Sequence, residues 1–386
     1  MKIAKQRVLF VVPSLGTGGA EKQTVNLANG LVARDAHVAI YRYRPDGMYE
    51  SMVDDRVERF GYGVKIKSST MQTVLSLWHL RNFIREFRPS IVVTTLNHVS
   101  IATWIATLGL QGIQRFICIQ NNFQTSSIYW KGTGITTLYR YLFKRATRSA
   151  VGIIFICKGV LVGFEKVLGT PTIPTTVIYN VLEISSSSEN DRLPIGDSTP
   201  IILACGRLHP QKDYLTLLKA FKILRKSVKV RLKILGDGPS RKELEKLAKS
   251  LGINSDLEFL GFVRDPTLHM RSATIFILTS RYEGFGNVIV EAMSVGLPVV
   301  STDCPYGPSE IITHAHNGLL VRVGDVEGVK DALAMVLSDD VLRMRLSLNG
   351  KVRSRDFLPE RILPMFVSFL ENATEQDALR STGGPS

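Results

Sequence analysis

Short apolar runs recur along this chain, separated by longer stretches in which apolar positions return every three or four residues. Such alternation predicts strands and amphipathic helices in turn. Val8–Val12 reads as a buried strand, Pro13–Gly19 as a turn and Ala20–Ala33 as a helix. His37–Tyr43 is a second strand, and Gln72–Phe87 a helix ended by Pro89. Further strands are expected at Ile91–Thr95, Phe116–Gln120 and Gly152–Cys157, and Val177–Tyr179 closes the half. After the Ser-rich, Pro-interrupted segment Glu183–Pro200 the alternation resumes. The predicted strands are Ile201–Cys205, Val230–Leu235, Leu257–Leu260, Ile275–Leu278, Pro298–Ser301 and Gly318–Val321. The predicted helices are Tyr214–Arg225, Arg241–Leu251, Asn287–Val295, Pro308–His314 and Val326–Leu337. Strand–helix alternation over both halves predicts two doubly wound α/β domains with mostly parallel sheets, whose ligands bind beyond the carboxyl ends of the strands. The expected division is a first domain over 1–182, a linker over 183–199, a second domain over 200–358, a helix over 359–372 and a flexible tail over 373–386.

Composition narrows the class. With 386 residues, 45% hydrophobic and 21% charged, the chain is able to bury a core in each half. No apolar run reaches the roughly 18–20 residues of a membrane span, and Val8–Val12 is shorter than a signal-peptide core of about 7–15 residues. The first segment therefore reads as a strand, not an export signal. Cys118, Cys157, Cys205 and Cys304 are widely spaced and read as reduced, buried thiols. No metal-ligand cluster is visible. The net charge of +14 is concentrated: residues 1–180 carry +13 and residues 181–386 carry +1. Between Ile101 and Ala150 there are 6 basic residues and no acidic one. One-sided charge of this kind favours an anionic partner, such as lipid headgroups, nucleic acid or a phosphorylated substrate.

Several turns carry chemistry. GTGGAE (Gly16–Glu21) joins the first strand to the first helix, and the backbone N–H groups of Gly18 and Gly19 suit a phosphate there. A dinucleotide fingerprint is disfavoured, because Glu21 stands where the third glycine belongs and HVAIYRYR ends in no acidic residue. GRLHPQKD (Gly206–Asp213) places Arg207 and Lys212 at a strand's carboxyl end, where two cations would neutralise a diphosphate. LGDG (through Gly238) and GFV (through Val263) are turns that would frame a nucleobase. RYEGFGNVIVEAM sets Glu283 before a helix and Glu291 about one turn inside it. Glu283 would accept from sugar hydroxyls, and Glu291 from a ribose diol. The N–H groups of Phe285, Gly286, Asn287 and Val288 open that helix. His98 opens a helix after the strand Ile91–Thr95 and is a candidate contact to the transferring sugar; a lone histidine is otherwise structural. Trp130, Lys131, Tyr139, Arg140, Tyr141, Phe143, Lys144, Arg145 and Arg148 read either as a membrane-interface helix or as an ordinary amphipathic one.

Taken together, GRLHPQKD, LGDGP, the pair Glu283–Glu291 and GLPVVSTDCPYGPSEII (Gly296–Ile312) resemble a retaining family 4 glycosyltransferase of the GT-B fold, of the cell-envelope glycan type. GTGGAE, His98, CKGV (Cys157–Val160) and VIYN (Val177–Asn180) match it in the first half. The resemblance implies two Rossmann-like domains facing across a cleft, the first binding the acceptor and the second the sugar nucleotide. It implies His98, Arg207, Lys212 and Glu283 as catalytic residues. Gly18, Gly19, Gly238, Val263, Phe285, Gly286, Asn287, Val288 and Glu291 are the implied donor contacts. It implies a final helix returning to the first domain, and neither a metal ion nor a resident cofactor.

The expected activity is transfer of a hexosyl or N-acetylhexosaminyl group from a nucleoside-diphosphate sugar, with UDP favoured. The acceptor is expected to be a glycan or a polyprenyl-linked glycan of surface polysaccharide biosynthesis. The basic first half fits peripheral binding to an anionic membrane at the cytoplasmic face of the inner membrane, with no nucleic-acid partner. Two other classes compete. A sugar-nucleotide epimerase on the same architecture would convert its substrate with no acceptor present, a phosphorylase would carry a pyridoxal Schiff base on a lysine, and a sugar-nucleotide or nucleic-acid binding protein would turn nothing over.

Overall fold

The computed structural model describes residues 2–16, 18–45, 47–61, 76–120, 134–182 and 199–381. The chain divides into two compact units, Met1–Val181 with Pro359–Ser386, and Leu182–Leu358.

Among the described residues the first unit holds a seven-stranded sheet. Its strands are β1 (Arg7–Val12), β2 (His37–Arg42), β3 (Glu58–Gly61), β4 (Ile91–Thr94), β5 (Gln114–Ile119), β6 (Gly152–Phe155) and β7 (Thr175–Val177), ordered β3-β2-β1-β4-β5-β6-β7. Every neighbouring pair is parallel. The helices are α1 (Gly19–Val32), α2 (Leu77–Phe87), α3 (Asn97–Thr107), α4 (Gly134–Arg148), α5 (Lys158–Leu168) and, from the chain's end, α13 (Pro359–Ser381). Alternation along β1 assigns the two faces. Val8, Phe10 and Val12 pack with α1 and α13, while Leu9 and Val11 pack with α2 and α3. Covered on both sides, the central strands are continuous apolar runs, as parallel sheets require.

The second unit holds a six-stranded parallel sheet. Its strands are β8 (Ile201–Cys205), β9 (Arg231–Leu235), β10 (Leu257–Gly261), β11 (Ile275–Leu278), β12 (Val299–Thr302) and β13 (Leu319–Val321), ordered β10-β9-β8-β11-β12-β13. Its helices are α6 (Tyr214–Leu224), α7 (Arg241–Leu251), α8 (Thr267–Ser272), α9 (Asn287–Ser294), α10 (Pro308–Ile311), α11 (Val326–Ser338) and α12 (Asp340–Ser354). Strand order reverses between β1 and β4 in one sheet and between β8 and β11 in the other. Crevices beyond the carboxyl ends of strands at such reversals are where open α/β sheets take ligands.

The doubly wound expectation holds, with differences at its edges. β3, α8 and α12 were not anticipated. β3 reads ERFG and lacks an apolar run, yet its backbone pairs with β2 from Ala39 to Arg42. The strand expected at Val177–Tyr179 lies instead at Thr175–Val177, and the helix expected to reach His314 ends at Ile311. The start of the helix expected from Gln72 lies partly outside the described residues, as does nearly all of the linker expected over 183–199.

The flexible tail is corrected as far as Ser381; residues 382–386 lie outside the described residues. The last helix does not stop at 372 but continues to Ser381. Ala373 is buried in the first core, and the Thr374 hydroxyl donates to Gln114 Oε1. That packing holds the polar end of the helix in place.

Candidate functional site

The loop after β8 and the loop after β11 lie side by side, because those strands are neighbours. Beyond β8 the chain passes Gly206 and exposed Arg207, makes a 3-10 turn at Pro210–Lys212 and enters α6 through Asp213 at φ 47°. Aspartate is among the few residues that tolerate this left-handed conformation. Here it is held from several sides. Thr216 Oγ1 donates to Asp213 Oδ2 at 2.9 Å, and Arg281 Nε lies 3.2 Å from the same oxygen. Thr279 Oγ1 donates to the carbonyls of Lys212 and Asp213 at 3.0 and 3.2 Å. Arg281 N donates to Gln211 O at 2.8 Å, and Gln211 Nε2 to Tyr282 O at 2.9 Å. The two loops are thus tied by backbone and side chain together.

The tie brings the two sequence-predicted charges into contact. Lys212 Nζ lies 2.5 Å from Glu283 Oε1, although the residues are 71 positions apart. Ser280 Oγ donates to the same oxygen at 2.6 Å. Both side chains of the ion pair are largely withdrawn from water, at 16% and 9% exposure. Assigned separately to diphosphate and sugar by sequence, the cation and carboxylate neutralise one another here. Beside them burial first, and the Glu283 charge second, push the Cys304 thiol up to about 12, which keeps it unreactive. Tyr214 donates to Gly206 O at 2.9 Å, and burial holds its phenol well above the ordinary value.

Close backbone approaches shape the rest. A Cβ on Gly236 would stand 2.0 Å from Gly206 O, and one on Gly307 would stand 2.2 Å from Phe285 O. Only glycine fits where the turns after β9 and β12 press on the site loops. Gly238 follows Gly236 in the first of these turns. Phe285 is buried against Phe357, with ring centroids 5.3 Å apart. Gly286, at φ 97°, precedes Asn287 and Val288, the first residues of α9. Glu291 lies one turn further on and is half-buried. Val263 is half-buried just beyond β10.

In the first unit, the carboxyl edges of β1 and β4 carry the other candidates. Gly18 caps α1 in extended conformation and Gly19 begins it. The anionic group already at this helix end is the chain's own: a Cβ on Gly18 would meet Glu21 Oε2 at 2.2 Å. Burial raises the Glu21 carboxyl above its usual range, offset in part by its own backbone N–H and by Arg44. His98 is the second residue of α3 and half-buried. Among the described residues its Nε2 has no hydrogen-bond partner, and burial lowers its pKa, which favours the neutral imidazole.

Sequence reasoning missed Ser280, Thr279, Gln211, Asp213 and Arg281. Each lies within four residues of a predicted one, but nothing local marks its partner in the other loop. Of the basic-aromatic stretch, Trp130 and Lys131 lie outside the described residues. Phe143 is fully buried, whereas Leu138 and Tyr141 are 57% and 58% exposed.

A family model described as Glycosyltransferase Family 4 matches residues 17–185, and one described as Glycosyl transferases group 1 matches residues 186–353. A Campylobacter jejuni protein is 27% identical over 366 residues, spanning 91% of this chain and 94% of its own. It is named GalNAc-alpha-(1->4)-GalNAc-alpha-(1->3)-diNAcBac-PP-undecaprenol alpha-1,4-N-acetyl-D-galactosaminyltransferase. The lipopolysaccharide core biosynthesis glycosyltransferase LpsE of Rhizobium meliloti is 36% identical over 151 residues, 39% of this chain and 43% of its own. Among solved structures, Anabaena Alr3699/HepE in complex with UDP and glucose superposes with a TM-score of 0.79 at 21% identity, covering 95% of this chain and 99% of that one.

Proposed function

The chain belongs to the family 4 glycosyltransferases of the GT-B fold, and we propose that it moves a hexosyl or N-acetylhexosaminyl group from a UDP-sugar to a lipid-linked or other glycan acceptor in surface polysaccharide biosynthesis, with retention of configuration. The observation that carries this reading is the buried pair of Lys212 and Glu283 where the second sheet reverses its order. One side chain suits a phosphate and the other a sugar hydroxyl, and they touch. The Campylobacter relative's polyprenyl-linked acceptor supports a lipid-linked substrate, and the neighbour solved with UDP and glucose supports a uridine donor.

In the proposed reaction the acceptor hydroxyl attacks the anomeric carbon on the face that the diphosphate leaves. The bond between that carbon and the phosphate oxygen breaks, and the acceptor's proton passes to the departing oxygen. Arg207 and Lys212 stabilise the charge that grows there, the task a metal performs elsewhere. Glu283 holds the sugar, with backbone N–H groups from Phe285 to Val288 alongside. Glu291 takes the ribose diol, and Gly238 and Val263 flank the base. The backbone at Gly18 and Gly19 completes the donor contacts. His98 offers the transferring sugar a neutral ring, one nitrogen of which accepts a hydrogen bond from a sugar hydroxyl. We assign the enzyme to the cytoplasmic face of the membrane, held peripherally by α4.

The test is donor turnover in EDTA across UDP-glucose, UDP-galactose, their N-acetyl forms and GDP-mannose. At least one should be hydrolysed or transferred. Lys212→Ala should lower that rate by about 10²–10³. Unchanged turnover in the variant, or no turnover of any donor by the parent chain, defeats the reading.

A further inference from the structure

Glu283 is 7% exposed, and Ser280, three residues before it, is wholly buried. Among the described residues, both partners of the carboxylate fall on Oε1: Lys212 Nζ at 2.5 Å and Ser280 Oγ at 2.6 Å. Oε2 is left to take a ligand hydroxyl. Ser280 is itself fixed, since Thr302 Oγ1 on β12 donates to its carbonyl at 2.6 Å. The site therefore has two donors on one carboxylate oxygen, and they differ in kind. Lys212 is a flexible cation. Ser280 is a short hydroxyl two residues beyond β11, held from the next strand.

A diphosphate entering beside Lys212 competes for the ammonium with two or more charged oxygens. When it wins, Glu283 loses its counter-ion while still buried, and a buried carboxylate without partners is costly. The Ser280 hydroxyl then remains as its hydrogen-bond donor. An O–H donor to an ionised carboxylate forms a strong, short bond that also fixes direction. We infer that Ser280 is a positioning residue: it keeps Glu283 aimed at the sugar once the diphosphate has drawn Lys212 away. This rests on the sugar-nucleotide reading above and adds to it an order of events, in which the Lys212–Glu283 pair guards the empty site and the Ser280–Glu283 bond serves the filled one.

The consequence is specific to the sugar. A nucleoside diphosphate alone needs Lys212 but makes no use of how Glu283 is aimed. A sugar nucleotide needs both. Calorimetric titration of UDP and UDP-N-acetylgalactosamine into the full chain separates the two, with GDP and GDP-mannose as the pair if the parent chain takes guanine. In Ser280→Ala the dissociation constant for the diphosphate should stay within about twofold. That for the sugar nucleotide should rise at least about tenfold, the effect of losing a hydrogen bond to a charged group. Ser280→Thr, which keeps the hydroxyl, should restore most of the difference. Thr302→Val, which releases the Ser280 carbonyl and spares the hydroxyl, should give a smaller rise in the same ratio; it keeps the test open if Ser280→Ala does not fold. If the ratio is unchanged in both Ser280→Ala and Thr302→Val while the parent chain binds the sugar nucleotide, the Ser280 role falls and the glycosyltransferase reading stands. If the parent chain binds no sugar nucleotide, both fall together.

Discussion

Glu21 is a residue whose meaning changes between sequence and structure. In the sequence it is the residue that spoils a dinucleotide fingerprint, and the glycines before it look ready for phosphate. In the fold its carboxylate turns back over Gly18, and burial raises its pKa above the ordinary 4.5. Folding thus favours the protonated form more than the unfolded chain does. Stability from this group is fully present below about pH 4.5, its unfolded value, and is lost as pH rises through the raised folded value. At neutral pH the buried charge is a cost. Glu21→Gln should therefore raise the melting temperature at pH 7.5, by about 2–4 °C for a unit of this size. The advantage should shrink as the pH approaches 4.5, read by melts across a pH series. An equal shift at every pH would show that the charge is not the cause. The lesson extends to the second unit. Lys212 and Glu283, which the fold brings into contact, were visible as candidates in the sequence because cations and carboxylates beside glycine turns at strand ends have few bland explanations. Their partners were not. Ser280 and Thr279 are common residues whose roles depend on which strand lies next to β8, and that adjacency is a property of the sheet, not of the loop.

At the scale of elements, the same contrast separates strong runs from edges. The limits of β8, β11 and α7 match the sequence reading residue for residue, since each is a sharply bounded apolar run or a single clear stripe. β3 was invisible because an edge strand pairs by backbone, whatever its side chains. α12 was missed for another reason. Leu342 and Leu346 face the core, but Val341, Met344, Leu348 and Val352 are 60–78% exposed on another side, so no single stripe stands out. α4 is the element to which the proposed function gives membrane binding. Phe143 anchors it, while Leu138, Tyr141, Arg145 and Arg148 recur at helical spacing on its exposed side. Beside it opens a cavity of about 180 Å³, lined by Lys144, Arg148, Phe164 and Leu168 among others. Cations around apolar side chains suit an anionic lipid surface, each cation contributing about 1 kcal/mol. The chain should sediment with vesicles of phosphatidylglycerol mixed into phosphatidylcholine, and less with phosphatidylcholine alone. Arg145→Glu with Arg148→Glu should cut the anionic binding more than tenfold. Equal sedimentation with both vesicle types removes α4 from that role.

For the whole molecule, what matters is how one chain closes two units. Leu182 N donates to Phe357 O at 2.8 Å, so the chain enters and leaves the second unit side by side. The first unit is consequently interrupted in sequence and completed only by α13. That helix is no ornament. Ile362, Leu363, Phe366 and Leu370 are each at most 3% exposed within the first core. Gly30 and Gly152 leave room for it, since a Cβ on either would come within 3 Å of Leu363 or Phe369. Burying four such side chains is worth roughly 1.5–3 kcal/mol each, and the sum is comparable with the roughly 5–15 kcal/mol that holds a domain folded. Ending the chain at Leu358 should therefore unfold the first unit and spare the second, whose residues are all retained. Calorimetry of the shortened chain should lose one transition and keep another. If both survive at their full-length temperatures, the first sheet stands without its last helix and the burial argument is wrong. If both vanish, the second unit depends on the first for more than its covalent ends.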